Sequence, residues 1–204
     1  MRILALSDVE EPWLYEYLDR DRLDEADLII SCGDLSADYL EFIVTMAHVP
    51  LLYVPGNHDE AYLTRAPGGC TSIDGRLWEG KGLRIFGAGG AMRYRVGPFL
   101  YSEAQMRRRM CRLKARSELA QGVDILVTHA PPRGYGDLDD LAHHGFEAFN
   151  ETLNQYRPTL MLHGHIHVQY GRIQRELIHP SGTRIINVCG SQLIELPGGQ
   201  ERRA

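Results

Sequence analysis

The sequence has 204 residues, a formal net charge of −5, and 44% hydrophobic and 24% charged residues. This length is enough for one well-buried domain and short for two. The composition is ordinary for a globular protein that dissolves in water. The acidic balance argues against a protein that covers nucleic acid, although a local basic patch is compatible with it.

Two features of the sequence predict a cytoplasmic protein without membrane association. The first apolar run, Ile3 to Leu6, is too short for a signal-peptide core or a membrane span. None of the four cysteines has a partner at CxxC spacing. We therefore expect reduced or buried thiols and neither a disulfide framework nor a structural zinc site.

The first third of the chain alternates predicted strands and helices. In chain order they are a strand at 3–6, a helix at 12–20, a strand at 27–32, a helix at 37–48 and a strand at 51–54. This βαβαβ order predicts a parallel sheet with right-handed crossovers.

The rest of the chain mixes hairpins with further strand and helix units. The predicted elements are a hairpin of 76–79 with 83–87, a helix at 103–120, a strand at 123–127, a helix at 146–156, a strand at 159–162, and antiparallel strands at 170–177, 183–188 and 192–196. We see no repeat or linker composition, so we predict a single domain over residues 1–196. Residues 197–204 are expected to fray.

Polar, ionisable side chains follow five of the predicted strands. They are Asp8 and Glu10, Asp34, Asn57 and His58, His129, and His165 and His167. Because the carboxyl ends of parallel strands share one edge of a sheet, we expect these groups to converge. Oxygen donors and imidazoles without a thiolate suit Mn²⁺, Mg²⁺, Zn²⁺ or Fe. A glycine precedes Asp34, Asn57 and His165, which lets the backbone turn sharply there.

Any one of these residues alone has an ordinary explanation. An aspartate at a strand end commonly caps the next helix, and a lone histidine is more often a hydrogen-bonded neutral residue than a ligand. The same type of group at five strand ends favours a metal site.

These motifs carry a resemblance to a known family. Asp8, Gly33-Asp34, Gly56-Asn57-His58-Asp59, Thr128-His129 and Gly164-His165-Ile166-His167 resemble, in order, the motifs of the calcineurin-like metallophosphoesterases. The resemblance implies a four-layer α/β/β/α sandwich of two mixed sheets flanked by helices. It also implies two metal ions, with Asp34 bridging both, Asp8 and His167 on the first, and Asn57, His129 and His165 on the second.

The implied activity is metal-dependent hydrolysis of a phosphomonoester or phosphodiester. Two cations about 3.5–4 Å apart can lower the pKa of a bridging water and supply hydroxide for in-line attack. His58 would protonate the leaving oxygen or steady the developing charge, and Asp59 would orient the loop. We expect Mn²⁺, with Mg²⁺, Fe, Zn²⁺ and Ni²⁺ as alternatives.

The first motif departs from the family pattern. The family has Asp-x-His, whereas this sequence has Asp8-Val9-Glu10. We predict that Glu10 binds the first metal directly or through water, because alternate residues of an extended segment point the same way. A carboxylate in place of an imidazole would favour Mn²⁺ or Mg²⁺. The alternative is a solvated carboxylate beside a half-occupied first site.

Several other features are weaker signals. Residues 87–91 lack GxGxxG spacing and favour a close-packed turn. Arg93 and Arg95 are secondary candidates for binding substrate phosphate. A basic cluster on the predicted helix 103–120 indicates a solvated helix face more than a nucleic-acid patch; it comprises Arg107, Arg108, Arg109, Arg112, Lys114 and Arg116. His143 and His144 are expected to be surface residues rather than part of the substrate mouth.

Two other functions compete with a phosphoesterase. One is a non-catalytic metal-binding scaffold of the same fold that binds a protein partner. The other is a nuclease that uses the basic helix, which is disfavoured because the sequence shows no obvious second domain to hold DNA. The expected partner is a small phosphate ester or nucleotide. The sequence does not distinguish monoesters from diesters or define an oligomeric state.

Overall fold

A computed structural model describes residues 1–114, 122–167 and 174–196. The helices and strands are β1 (Arg2–Ser7), α1 (Pro12–Tyr15), α2 (Arg20–Asp24), β2 (Leu28–Ser31), α3 (Ala37–Met46), β3 (Leu51–Tyr53), β4 (Thr71–Ser72), β5 (Leu77–Gly80), β6 (Leu83–Ala88), β7 (Ala91–Met92), β8 (Leu100–Tyr101), α4 (Glu103–Lys114), β9 (Ile125–Thr128), α5 (Glu147–Tyr156), β10 (Leu160–His163), β11 (Glu176–Ile178), β12 (Arg184–Asn187) and β13 (Gly190–Glu195). Short 3₁₀ turns occupy Glu60–Leu63 and Leu141–His143. No helix in these ranges is long and apolar enough to cross a membrane.

The strands form two large mixed sheets. The first has the order β13-β1-β2-β3-β4, in which β13 alone is antiparallel to its neighbour. The second has the order β11-β12-β10-β9-β6-β5, with parallel central strands and antiparallel edges. A separate parallel pair, β7 with β8, lies outside both sheets.

Three apolar clusters show how the layers stack. The central cluster joins Ile3 and Ile30 of the first sheet to Val127 and Leu162 of the second. A second cluster packs α1 to α3 against the outer face of the first sheet. A third packs α4 and α5 against the outer face of the second. The predicted four-layer α/β/β/α sandwich is confirmed, and burial of this apolar surface is its main source of stability.

Two predicted elements are wrong. The helix predicted at 12–20 ends early, at Tyr15, and a separate helix, α2, begins at Arg20, where the Asp19 side chain accepts from the backbone N–H of Arg22. The C-terminal strands do not form one antiparallel group: β12 runs parallel to β10, and β13 joins the other sheet beside β1. The predicted helical residues 115–120, strand residues 170–173 and tail 197–204 lie outside the described residues.

Candidate metal centre

The predicted polar strand ends converge, but they come from two sheets and not from one. Asp8, Asp34 and Asn57 follow β1, β2 and β3 of the first sheet, whereas His129 and His165 follow β9 and β10 of the second. The predicted parallel sheet of the βαβαβ unit is confirmed for β1, β2 and β3, and the two histidines come from the other sheet. The face-to-face packing of the sheets brings their carboxyl ends to a shared edge.

The centre of the site is formed by Asp34, His129 and His165. One potential ligand atom from each lies within 4.8 Å of the others. The His129 Nε2 is 3.3 Å from Asp34 Oδ2 and 3.0 Å from Asn57 Oδ1. A carboxylate, an amide oxygen and two imidazoles form a donor set that fits a divalent transition metal or zinc.

Both histidines are oriented as metal ligands are. The Nδ1 of His129 lies 2.8 Å from the carbonyl oxygen of Cys32, which directs Nε2 into the site. The Nε2 of His165 lies 2.8 Å from the carbonyl oxygen of Ala142, so Nδ1 is the ring nitrogen left for a metal. A metal-bound histidine typically donates its second ring N–H to such an oxygen. These residues therefore fit the metal that the motifs predict.

Asp8 and His167 lie next to each other beside the backbone of His165. Both carboxylate oxygens of Asp8 accept from the backbone N–H of His165, at 3.1 and 3.0 Å. The Nε2 of His167 is 3.7 Å from Asp8 Oδ1. Asp8 is thus bound to the backbone of His165 and lies near the side chain of His167, another predicted ligand.

Three of the predicted ligands have left-handed backbone conformations. The φ angles are 64° at Asp8, 57° at Asp34 and 68° at His165. Such conformations are strained for residues with a side chain and concentrate at functional sites. The glycines at 56 and 164 have a different role from the predicted one, because they provide space. A Cβ on either would lie less than 3.0 Å from the carboxylate of Asp34 or Asp8, respectively.

Asp59 holds the loop that carries Asn57 and His58. Its Oδ2 accepts from the backbone N–H of Gly56 at 2.7 Å and of Asp34 at 2.8 Å. The N–H of His58 donates to Asp34 Oδ1 at 2.8 Å. Burial raises the pKa of Asp59 to about 6. The loop is therefore fastened to the central carboxylate, while the His58 side chain is exposed.

The ionisation of the centre is set by the pairing of Asp34 with His129. Burial would lower the pKa of His129, but the charge of Asp34 raises it to about 9. Burial opposes ionisation of Asp34, yet the charge and hydrogen bond of His129 hold its pKa below the usual range. Burial lowers the pKa of His165 to about 3 and raises that of Asp8. Without metal, a proton on His129 balances the Asp34 carboxylate.

Glu10 makes a contact that the sequence did not indicate. Its Oε1 accepts from the backbone N–H of Ser36 at 3.2 Å and from the Ser36 hydroxyl at 2.5 Å, at the start of α3. The left-handed turn at Asp8 removes the extended geometry on which its predicted orientation rested. The role of Glu10 as a ligand stays a prediction.

The candidate substrate arginines are held by neighbouring residues. Arg93 donates to the carbonyl oxygen of Leu100 and to Gln105, and Arg95 lies 3.4 Å from Glu60, two residues after His58. This places Arg95 closer in the fold to the His58 loop than its sequence position suggests. Neither contact involves a predicted metal ligand.

The basic helix face is only partly solvated. Arg107 is half-exposed and pairs with Glu103 and Glu151. Arg109 points inward, where it pairs with Asp74 at 2.6 Å, donates to the Gly89 carbonyl and lies over the Tyr101 ring. The prediction that the basic helix face is solvated is therefore wrong for Arg109. The side chains of Arg112, Lys114 and Arg116 lie outside the described part of the chain.

One histidine that was expected to be a surface residue lies near the centre. The ring centroid of His143 is 5.1 Å from that of His165, and its Nδ1 lies 2.8 Å from Asp140. The loop containing Ala142 covers His165, so His143 lies at the mouth of the site. No strand end or motif marks this residue in the sequence.

Two mixed sheets between helical layers, with carboxylate, amide and imidazole groups at shared strand ends, define a metallophosphoesterase-type fold. The model of the calcineurin-like phosphoesterase superfamily domain matches residues 1–198, and the chain belongs to this superfamily.

The chain is also similar to curated proteins at low identity. The chain is 25% identical to UPF0046 protein C25E10.12 of Caenorhabditis elegans over 205 residues, covering 84% of this chain and 70% of that protein. It is 23% identical over 199 residues to the probable rhamnogalacturonate lyase C of Emericella nidulans, covering 84% of this chain but only 18% of that protein.

Solved structures share the fold. TT1561 of Thermus thermophilus aligns with a TM-score of 0.63 at 18% identity, covering 93% of this chain and 89% of its own. GAP50 of Plasmodium aligns at 0.57 and 13% identity, covering 93% and 71%. The 5'-nucleotidase of Candida albicans SC5314 aligns at 0.51 and 12% identity, covering 93% and 46%. At these identities the likeness shows the fold alone.

Proposed function

We propose that this protein is a metal-dependent phosphoesterase that hydrolyses a phosphomonoester or phosphodiester. The observation that carries the proposal is the cluster of half-buried Asp34 with buried His129 and His165, whose ligand atoms lie within 4.8 Å of one another. A small phosphate ester or nucleotide is the proposed substrate class. The spacing of the four cysteines, which includes no CxxC motif, supports a cytoplasmic location.

The residues divide between two proposed divalent ions, with Mn²⁺ the favoured metal. Asp34 would bridge them, and the other proposed ligands are Asp8, Glu10 and His167 for the first and Asn57, His129 and His165 for the second. When bound, the metals would supply Lewis acidity to the phosphoryl oxygens and activate the attacking water.

His58 is the proposed proton donor to the leaving oxygen. Its backbone N–H donates to Asp34 Oδ1, which fixes this residue next to the central carboxylate in the chain's fold, and its side chain is exposed. An imidazole can exchange a proton near neutral pH. Removal of this side chain should therefore impair turnover and leave metal binding intact.

The test is an assay of metal-free protein loaded with Mn²⁺, Mg²⁺ or Ni²⁺ on chromogenic monoesters and diesters. His58→Ala should lower kcat by about 100- to 10,000-fold with unchanged metal stoichiometry, whereas Asp34→Asn should lose metal. His48→Ala is the matched control, because His48 is an exposed histidine that contacts Arg20 far from the predicted ligands. Absence of metal-stimulated turnover on every substrate would contradict the proposal.

The proposed ligand role of Glu10 has its own test. Metal titration should show weaker binding of one ion in Glu10→Ala, whereas Ser36→Ala removes the hydroxyl that Glu10 contacts and should leave that ion bound. Unchanged metal stoichiometry and affinity in Glu10→Ala would contradict the proposed ligand role.

A second candidate is a non-catalytic scaffold that binds a protein partner. The contact between Glu10 and Ser36 favours it, because this carboxylate is engaged by α3 where the family pattern has a metal-binding histidine. GAP50, which shares the fold, is described as the anchor in the inner membrane complex of Plasmodium. Metal binding without turnover on mono- and diesters would favour this candidate.

A further inference from the structure

Four exposed apolar side chains belong to segments next to the candidate metal centre. Among the described residues, large apolar side chains that are solvent-exposed include Val9 at 42%, Tyr94 at 37%, Val96 at 95% and Leu141 at 54%. Single exposed apolar residues are common and need no explanation. These four are notable because all belong to segments that carry or contact residues of the site.

The contacts of these segments place them around the site. Val9 follows Asp8 directly, and Leu141 precedes Ala142, whose carbonyl oxygen lies 2.8 Å from His165 Nε2. Strand β7, which leads into Tyr94 and Val96, packs against the 3₁₀ turn Leu141–His143.

The segment with Tyr94 and Val96 also reaches the loop that carries His58. Arg95, between them, lies 3.4 Å from Glu60, and Glu60 is two residues after His58. The segments therefore approach the centre from the His165 side and from the His58 side.

The arrangement of these exposed side chains favours an aromatic ring over a hydrocarbon chain as the group that they bind. The apolar groups are separated by charged residues that are already paired, Arg95 with Glu60 and Asp140 with His143. Such spacing offers no continuous apolar band for an acyl chain or a membrane. A compact planar ring can contact such separated side chains one at a time, and Tyr94 offers an aromatic ring, beside the Arg95 guanidinium, for it.

We propose that the apolar rim, Val9, Tyr94, Val96 and Leu141, selects phosphoryl compounds that carry an aromatic ring close to the phosphorus. This inference rests on the proposed phosphoesterase function and names the substrate class within it. Partial burial of one ring against these side chains is expected to strengthen binding about tenfold.

The experiment compares phenylphosphonate with methylphosphonate by calorimetric titration of the Mn²⁺-loaded protein, at a pH where both are dianions. The headgroups are then alike, and only the ring differs. The phenyl compound should bind about tenfold more tightly. Tyr94→Ser and Leu141→Ser should reduce that ratio to about twofold and leave methylphosphonate affinity unchanged.

Ile178→Ser is the matched control. Ile178 is 63% exposed on β11 and lies opposite Arg184 at the start of β12, the end of the sheet away from the site. The ratio should not change in this variant. Because the rim side chains are exposed, their replacement should preserve folding. Val96→Ser provides a third rim variant.

The outcomes distinguish failure of the proposed rim from failure of the proposed phosphoesterase function. Equal affinity for the two phosphonates, or an affinity ratio unchanged in all rim variants, would overturn the proposed role of the rim. Turnover of chromogenic esters would in that case still support the phosphoesterase function. Failure of both phosphonates to bind, together with no turnover, would overturn the phosphoesterase and the rim with it.

Discussion

The imidazole of His129 lies 3.3 Å from the carboxylate of Asp34, although the two residues follow strands of different sheets. The other ring nitrogen of His129 faces the carbonyl oxygen of Cys32 at 2.8 Å. Both oxygens can only accept hydrogen bonds. Two donors on the ring mean a protonated imidazole in the metal-free protein, which agrees with the pKa of about 9.

Metal uptake at neutral pH should release a proton from His129. The pKa of about 9 keeps this residue protonated at pH 7, and a metal ligand must be neutral. The apparent metal affinity should rise with pH up to about 9 and level off above it. Calorimetry in buffers of different ionisation enthalpy measures the protons released, and His129→Asn should release about one fewer. No proton release by wild type at pH 7 would contradict this assignment.

The metal-free protein should lose stability as the pH rises from about 6.5 to 9. The pKa of His129 is raised from its ordinary value of 6.5, so its contribution is complete below 6.5 and disappears as the pH passes 9. The expected slope is about 1.4 kcal/mol per pH unit. Chemical unfolding in EDTA measures it. Asp34→Asn removes the charge that raises this pKa, and an equal slope in that variant would count against the ion pair.

Gly56→Ala should damage the site through steric overlap. The new Cβ would lie less than 3.0 Å from the Asp34 carboxylate, so the loop or the carboxylate must move. We expect a loss of about 1–3 kcal/mol of stability and weakened metal binding. Gly68→Ala is the control, because its nearest neighbour is the end of the Glu41 side chain at 3.3 Å. Similar metal affinity in both variants would refute the overlap.

Asp59→Ala should loosen the loop without removing a ligand. The change leaves the N–H groups of Gly56 and Asp34 without their acceptor, at a cost of about 1–3 kcal/mol for each buried group. Unfolding curves of metal-free protein measure the loss. Asp38→Ala is the comparison, since Asp38 pairs with Arg65 at the surface and should cost about 1 kcal/mol or less. Equal losses would show that Asp59 does not hold the loop.

Sequence patterns predicted more of the fold than of the site geometry. The apolar runs located the central strands because burial of such runs is a local property of composition. The split at Asp19 and the parallel pairing of β12 escaped prediction. The first depends on a side-chain cap that competes with helix continuation, and the second on a partner strand distant in sequence.

The inward turn of Arg109 and the position of His143 show the same limit. Arg109 lies on a helix with an apparently solvated basic face, but Asp74 provides a partner from a distant segment. His143 looks like an ordinary loop residue in the sequence, and only the contact of Ala142 with His165 places it near the site. Neither contact is encoded by spacing along the chain.

The sequence by itself determined the chemical types at the site: carboxylates, an amide and imidazoles after successive buried strands, in the order of one superfamily. Only the tertiary structure decided that these groups meet across two sheets, that Asp8, Asp34 and His165 adopt left-handed backbone, and that Glu10 contacts Ser36. The physical reason is that the identity of a ligand is local, whereas its distance from the next ligand depends on how two sheets pack.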